Sequence, residues 1–552
     1  MINRNLFFSY IILAITVAFC VVTSLINMRY NVDSMFDEAF LYFNQKSVFE
    51  GNVNGISFGT NIIASVFGEK LCGTIFNMRL IGWVLKIVCV LIFSILSWGL
   101  FGRNWKIYIA YTTISFLMIC PCLNDIVICQ NGLAQLFLCV NLALCYRILS
   151  VQSVWNVFWS TLIGVFSVMG LFSILPATVL IMICILILLF VRYWRKWRLL
   201  VLYICSVIVG FCIGVGLFHY FILDMNNAIL AIIETASNIT TLNRGYDPIS
   251  FIVNLLLFLR DWILSGIFMF GCFYVADKIS HNTKWFSVLL LLGMFCVYAY
   301  YQIQPKITTP MLLSCMWLLL LYDRTKDSND MVLSIDFNLM LDFFLAVSPI
   351  ILSIGTNTYL GAKMRYFLLP WVILLFRIGW NNRNVQHRLT MSIFVAVLLC
   401  QSYASSFRVF DEHMKKIDNG PLANMYLTSK QATHFALCDS IVSEYNFQPQ
   451  KSVIYANQLG MMAICYLNGI NCANYFQPMD FVANAQKDDL PTPDFMLLTD
   501  YDVRMADTVL TQMGWGWPEE FDVYNVGTPE TINLGYPTDR MLYCRKSLKK
   551  ND

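Results

Sequence analysis

Long apolar runs joined by polar connections, most of them short, make up the chain as far as Tyr403. A helix needs about 20 mostly apolar residues to cross a hydrocarbon core of about 30 Å. About thirteen runs reach or approach that length when they borrow flanking residues. They occupy residues 6–26, 80–101, 107–120, 126–146, 157–175, 177–191, 199–223, 261–276, 285–301, 307–321, 339–354, 366–376 and 389–403. This pattern predicts a polytopic α-helical membrane protein with about 13 transmembrane helices.

After residue 403 the apolar runs become short, which is typical of a water-soluble fold. The pattern there alternates between predicted strands and predicted helices. The strands are residues 453–455, 495–498, 521–526 and 541–544, and the helices are residues 458–467 and 503–513. We therefore expect a transmembrane domain over residues 1–403 and a soluble α/β domain over residues 404–552, which is long enough to fold as a unit.

The composition agrees with a membrane location. Hydrophobic residues make up 58% of the chain and charged residues 13%, with a mean hydropathy of +0.63, whereas soluble domains carry about 25% charged residues. An ordinary soluble enzyme is thereby excluded. The 37 basic and 34 acidic residues nearly balance, so the chain has no electrostatic footprint for nucleic acid. The 19 cysteines lie mostly in apolar runs and form no CxxC metal pattern.

Lys and Arg are concentrated in alternate connections, such as the one that contains Arg195, Lys196 and Arg198. Because short loops rich in Lys and Arg stay on the cytoplasmic side of a membrane, the N-terminus is expected in the cytoplasm. An odd number of spans then places the C-terminal domain on the extracytoplasmic side. The same orientation makes residues 27–79 and 224–260 long outer loops.

An acidic cluster follows the first predicted span within a few residues. Asp33 and Asp37 share a face if this segment is helical. Glu38 points about 100° away, and an apolar stripe on the same helix includes Phe36 and Phe40. Acids in an outer loop are ordinarily just solvated. The alternative is a general base, because phenylalanines that partly desolvate a carboxylate raise its pKa and suit it to remove a proton from a hydroxyl.

Lys363 and Arg365 break the positive-inside pattern, since they lie in a connection that is predicted to be outside. One interpretation makes them interfacial anchors whose charged heads extend to water. The other makes them a phosphate clamp, because Arg presents a planar fork to phosphate oxygens and Lys adds a point charge. Anionic lipid phosphates lie at this depth of the membrane, which favours the clamp.

Three further residues carry weaker signals. Asp125 lies in the short second outer loop, where it is either a helix cap or a second carboxylate near the first-loop acids. Arg260 precedes the eighth span, and the preferred interpretation makes residues 248–259 a surface helix with Arg260 as a further phosphate contact. Asp33, Asp37 and Asp125 could hold a divalent metal ion if they converge, so the cofactor requirement stays open.

Two of these segments resemble motifs of a known family. An Asp-Glu pair, Asp37 and Glu38, lies in the first outer loop, and an Arg-Tyr-x-x-x-Pro segment runs from Arg365 to Pro370. With many spans and a C-terminal outer domain, they resemble the membrane-embedded GT-C glycosyltransferases, in particular the protein mannosyltransferase and lipid A aminoarabinose transferase group. The resemblance implies that Asp37 is the catalytic base or an acceptor-positioning acid, with Glu38 beside it. It also implies that Arg365 and Lys363 contact polyprenyl phosphate.

The expected function is an inverting sugar transfer from a polyprenyl-phosphate donor to an acceptor hydroxyl at the outer face of a bacterial cytoplasmic membrane. The acceptor, whether a glycolipid, a glycan or a protein, is left open. The hypothesis requires the acidic cluster and the two cations to share one outer cavity that opens to the bilayer. The alternatives are a transporter or flippase of lipid-linked saccharides and a polysaccharide polymerase or ligase. Asp336 and Asp342, near the end of a late span, are the evidence for a transporter.

Overall fold

The chain forms two compact units. A computed structural model describes residues 4–30, 39, 42–43, 46, 68, 71, 73–98, 105–119, 130–221, 229, 248–279, 337–354, 360, 364, 367, 369–376, 415–456, 460–469, 491–528 and 539–550. The first unit comprises Met1–Ser24 and Gly82–Ser405, and the second comprises Leu25–Ile81 and Ser406–Asp552. The second unit therefore combines the region after the first predicted span with the C-terminal part of the chain.

Long helices make up the described residues that precede the C-terminal part. They are α1 Arg4–Tyr30, α2 Ile75–Ser97, α3 Trp105–Ile119, α4 Gln130–Ser150, α5 Asn156–Ser173, α6 Leu175–Tyr193, α7 Trp197–Phe221, α8 Pro248–Ile279, α9 Phe337–Leu352 and α10 Leu369–Leu375. Each of these helices overlaps a predicted span. The predicted spans 285–301, 307–321 and 389–403 lie outside the described residues.

Several of these helices have the length and apolar composition of membrane spans. Within the described residues, four helical stretches qualify, namely Ile75–Ser97, Gly132–Ser150, Asn156–Ser173 and Leu175–Phe221. The last stretch contains α6, α7 and a short 3-10 helix, Trp194–Lys196, between them. Two shorter apolar helices are Leu13–Ile26 and Phe337–Leu352. The protein is therefore a helical membrane protein, and the total of about 13 spans stays a prediction.

Helices α5 and α7 pack against each other along a line of glycines. A Cβ atom at Gly164 would collide with the backbone carbonyl of Val207, and one at Gly210 would collide with the carbonyl of Thr161. Small residues allow two helix backbones to approach closely in lipid, where burial of apolar surface gives little drive for association. Dispersion contacts between the backbones of α5 and α7 thus hold this pair together.

Hydrogen bonds between polar side chains supplement the apolar core of the first unit. Asn141 in α4 donates from Nδ2 to Ser167 Oγ in α5 at 3.1 Å. The Tyr193 hydroxyl at the end of α6 donates to the carbonyl oxygen of Ile148 in α4 at 2.7 Å. Such bonds between membrane helices are each worth about 0.6 kcal/mol on average. They fix the rotation of α4 relative to its neighbours more than they stabilise the bundle.

A four-stranded mixed sheet forms the centre of the C-terminal part. A short antiparallel ladder, β1 Lys415–Lys416 and β2 Tyr426–Leu427, precedes it. The sheet strands are β3 Ile454–Ala456, β4 Phe495–Thr499, β5 Phe521–Gly527 and β6 Arg540–Arg545. Their order is β3-β4-β6-β5, with β3 parallel to β4 and the other neighbours antiparallel. The four predicted strands coincide with β3 to β6 to within one residue at each end.

Three helices accompany the sheet: α11 Ser429–Ser443, α12 Met461–Leu467 and α13 Asp500–Gln512. Side chains alternate between the faces of a strand, so neighbours along β4 lie on opposite faces of the sheet. Met496 joins Tyr543 and Trp515 in an aromatic cluster on one face. Phe495 points to the other face, where its ring lies edge-on to that of Tyr445 with centroids 6.2 Å apart.

Candidate functional site

The acidic cluster is flanked by packed residues. Asp33, Asp37 and Glu38 themselves lie outside the described residues, and so does Asp125. Directly after the cluster, Ala39 and Tyr42 are buried within the second unit. The chain next to Glu38 is therefore held by tertiary contacts.

The segment ahead of α10 is likewise flanked by buried side chains. Lys363 and Arg365 lie outside the described residues, but Leu360, Met364 and Phe367 belong to the apolar core of the first unit. The neighbours of the two cations are thus anchored in a packed core.

Trp371 fixes α10, which follows this segment. Its side chain is fully buried, and its indole N–H donates to the carbonyl oxygen of Ala346 in α9 at 3.0 Å. Pro349 lies three residues further along α9. Because Pro349 has no N–H, the carbonyl of Leu345, four residues earlier, lacks its helical donor, and the Ser348 hydroxyl donates to that oxygen at 2.9 Å instead. The bond from Trp371 joins α9 to α10 immediately after the Arg-Tyr-x-x-x-Pro segment.

Arg260 is the predicted site residue that the structure describes. Its guanidinium contacts the neighbouring Asp261, with Nη2 and Nε at 2.8 and 3.0 Å from Oδ1. The side chain of Arg260 is 62% exposed, whereas that of Asp261 is 13% exposed. A phosphate that binds Arg260 therefore competes with an internal carboxylate. Its role as a phosphate contact stays a prediction.

The helix that carries Arg260 differs from the expectation. A separate surface helix over residues 248–259 was expected, but α8 runs without a break from Pro248 to Ile279. No proline or glycine lies between Leu259 and Trp262 to interrupt the backbone hydrogen bonds. The adjacent opposite charges also neutralise each other, which lowers the penalty for keeping them inside one long helix.

Two arginines that the sequence analysis did not select hold the ends of α2. Arg79 is 1% exposed and donates from Nη1 to the carbonyl oxygen of Met28, in the last turn of α1, at 3.2 Å. Arg147 donates from Nη1 to the carbonyl oxygen of Leu96 at 2.7 Å, near the other end of α2. A cation directly before a long apolar run was the available signal for Arg79, because an arginine there needs a partner.

Asp342 is a buried acid in the first unit. It lies in α9 and is 4% exposed. Ionisable side chains inside apolar membrane helices are rare and mark functional sites by default. Asp336, the other residue that supports a transporter, lies outside the described residues. Asp342 is therefore the structural observation that keeps the transporter alternative open.

A polar cluster lies at the end of α11. The Tyr445 hydroxyl donates to Asp522 Oδ2 at 2.6 Å and contacts the hydroxyl of Tyr524 at 3.0 Å. Lys549 is 3.4 Å from the same carboxylate. The hydrogen bond from Tyr445 lowers the pKa of Asp522, with a smaller contribution from Lys549. An acid held ionised and neutralised in this way is a structural partner and a poor proton acceptor.

The cysteines and acids of the described residues offer no metal site. No group of three or more His, Cys, Asp or Glu side chains comes together in the described ranges. Cys438, Cys465 and Cys544 are buried free thiols in the C-terminal part. Burial raises the pKa of Cys438 to about 12, so this thiol stays protonated and unreactive. The three acids that could hold a divalent ion lie outside the described residues.

The similarity of this chain to known proteins lies in solved structures. No protein-family model and no curated protein matches the chain. Two crystal structures of ArnT from Cupriavidus metallidurans, an aminoarabinose transferase of the group that the sequence resembles, are similar to it over 98% of this chain and 99% of theirs. One is bound to undecaprenyl phosphate, with 11% identity and a TM-score of 0.40, and one is in the apo state, with 12% and 0.42. TM-scores below 0.5 leave the reaction to be inferred from the residues of this chain.

Proposed function

We propose that the protein is an inverting glycosyltransferase that moves one sugar from a polyprenyl-phosphate donor to an acceptor hydroxyl. One observation carries the proposal: in a helical membrane protein, the acids Asp37 and Glu38 follow α1 and the cations Lys363 and Arg365 precede α10. Packed residues flank both segments, which supports preorganised sites more than solvated linkers. The proposed location is the outer face of a bacterial cytoplasmic membrane, with the C-terminal α/β part outside and the N-terminus in the cytoplasm.

The reaction divides its work between the two segments. Asp37 accepts the proton of the acceptor hydroxyl while the oxygen attacks the anomeric carbon from the side opposite the phosphate. The bond between that carbon and the phosphate oxygen breaks, and polyprenyl phosphate leaves with the electron pair. Arg365 and Lys363 stabilise the charge on the departing phosphate. Glu38 supports Asp37, and Arg260 is a further phosphate contact once its bond to Asp261 opens.

The donor explains why such an enzyme would have this architecture. An activated sugar outside the cytoplasm has to arrive on a lipid, since nucleotide sugars are confined to the cytoplasm. The phosphate of that lipid stays at the membrane interface and its chain stays among the helices. The acceptor, and any requirement for a divalent ion at Asp33, Asp37 and Asp125, are left to experiment.

Transfer of radiolabelled sugar tests the proposal. Purified protein in liposomes is given a polyprenyl-phosphate sugar, and label is followed to acceptor or water. Asp37→Asn is expected to abolish transfer, and Arg365→Gln to lower it about a hundredfold, as the loss of one stabilising contact of about 3 kcal/mol does. Asp439→Asn, which changes an exposed acid of α11, is the control and should leave transfer unchanged. Full activity in Asp37→Asn contradicts the catalytic assignment.

A transporter of lipid-linked saccharides is the second candidate, because Asp342 is buried in α9. A transporter moves the labelled lipid between leaflets and leaves the sugar on it. The same liposomes distinguish the two functions if the label remaining on lipid in each leaflet is counted. Movement between leaflets that is lost in Asp342→Asn, without release of sugar, would favour the transporter.

A further inference from the structure

We infer that Arg79 is a positioning residue for the acidic cluster, an inference that rests on the proposed glycosyl transfer. Arg79 is among the largest fully buried side chains of the described residues. Guanidinium groups are seldom buried to this degree unless they have a specific partner. Its Nη1 donates to the carbonyl oxygen of Met28 at 3.2 Å, which joins positions 51 residues apart in the sequence.

The contact lies where a cation fits the end of a helix. Met28 is two residues before Tyr30, the last residue of α1. The last four carbonyls of a helix have no donor within that helix, and the helix dipole gives this end a negative partial charge. Arg79 supplies both a donor and a positive charge at this point. The last turn of α1 is therefore held by a side chain of α2.

Arg79 itself starts from a fixed backbone. Thr74 accepts the backbone N–H of Asn77 on its hydroxyl oxygen at 3.2 Å and so caps α2. The N–H of Ile75 donates to the carbonyl oxygen of Pro421 at 3.0 Å. These bonds tie the first turn of α2 to the C-terminal part of the same unit. The C-terminal part thus supports Arg79, and Arg79 supports the end of α1.

The end of α1 leads directly to the proposed base. Asp33 follows Tyr30 by three residues and Asp37 by seven. A general base has to lie within hydrogen-bond reach of the proton it removes, and a displacement of about 1 Å can lower the rate about a hundredfold. The direction in which the chain leaves α1 therefore limits where these acids can be. Arg79 acts on catalysis through that backbone and not by contact with substrate.

Arg79→Met, Arg79→Lys and Arg147→Met test the inference in the full-length protein. Arg147 is a matched control because it makes the same kind of contact, from Nη1 to a helix-end carbonyl, in the other unit. Arg79→Met should lower kcat about tenfold while KM for the labelled donor stays within about twofold. Arg79→Lys retains a cationic donor and should recover most of kcat. Arg147→Met should lower the unfolding temperature and leave kcat within about twofold.

Hydrogen–deuterium exchange separates this inference from the proposed reaction. In Arg79→Met, amides in the peptide that contains Met28 and the residues after it should exchange faster than in the unmodified protein. The same amides in Arg147→Met should exchange at the unmodified rate. Unchanged kcat in Arg79→Met, an equal loss of kcat in Arg147→Met, or unchanged exchange after Met28 would overturn the positioning role. If the unmodified protein transfers no sugar, the proposed function fails, and the exchange rates still decide whether Arg79 holds the end of α1.

Discussion

Most helices that begin in the second unit start differently from those of the first. Of the four labelled helices that begin in the second unit, three follow a threonine, namely Thr74 before α2, Thr428 before α11 and Thr499 before α13, whereas α12 follows Gly460 and has no side-chain cap. Each hydroxyl accepts a backbone N–H three residues later, at 3.2 to 3.3 Å. In the first unit, α5 follows Trp155 and α6 follows Ile174, and neither side chain caps its helix.

This difference shows what defines a helix in each unit. A side-chain cap replaces water at a helix end and fixes the first turn locally. In the first unit, apolar burial and close packing define α5 and α6 instead of caps. No local sequence motif indicates the close backbone contacts at Gly164 and Gly210. Substitutions at packed glycines should therefore have large effects, and substitutions at caps should have small and local ones.

The largest effect is expected at Gly210. In Gly210→Ala, the new Cβ collides with the Thr161 carbonyl, and forced packing of this kind costs about 3 kcal/mol. Gly216→Ala is the matched control in the same helix, because a Cβ there meets nothing within 4 Å. Thermal unfolding of the full-length protein in detergent should show a markedly lower midpoint temperature for Gly210→Ala and an unchanged one for Gly216→Ala. Equal midpoints would mean that α5 and α7 are not packed through their backbones.

A smaller effect is expected at Thr499. In Thr499→Ala, the N–H of Asp502 loses its acceptor, and loss of such a cap costs about 1 kcal/mol. Thr499→Ser keeps the hydroxyl and should behave like the unmodified protein. Faster amide exchange confined to the first turn of α13 is the expected sign of a local cap. Faster exchange throughout the C-terminal part would show instead that the cap supports the whole sheet.

The sequence predicts elements well where the signal is local. Strands β3 to β6 coincide with their predicted ranges because short apolar runs bounded by turns are sufficient to define them. Helix α11 was not predicted, since Lys430, Gln431 and Thr433 break up its apolar pattern. Its buried face only becomes evident when the sheet is present. The capping residues Thr428 and Gln431 are a signal that could have located its start.

Contacts between distant residues are less accessible to sequence analysis. The second span was predicted to begin at residue 80, whereas α2 begins at Ile75. Arg79 caused that difference, because a cation ends an apolar run, and its partner Met28 lies far away in the sequence. The candidate acids and cations were chosen by local motif, and all of them except Arg260 lie outside the described residues. The structure thus shows the packed residues next to the proposed site, whereas the catalytic and phosphate-binding roles rest on the sequence motifs alone.

The smallest expected effect is the pH dependence of the polar cluster at the end of α11, in which Asp522 accepts the hydrogen bond from Tyr445. The hydrogen bond from Tyr445 lowers the pKa of Asp522 below its ordinary value of 3.8. Its stabilising contribution is therefore present above pH 3.8 and is lost as the pH falls through the lower pKa of the folded state.

Asp522→Asn should remove about 0.5 kcal/mol at pH 7, because the acceptor of the Tyr445 hydrogen bond loses its negative charge in a partly exposed site. The difference between this variant and the unmodified protein should shrink as the pH falls through the lowered pKa of Asp522. Amide exchange at the end of α11, followed between neutral and acidic pH, measures this difference in stability. A difference that stays constant down to low pH would show that the stabilisation does not depend on the ionisation of Asp522. A loss as large as that of Gly210→Ala would remove the contrast between the two units, since one polar contact would then matter as much as a packed helix seam.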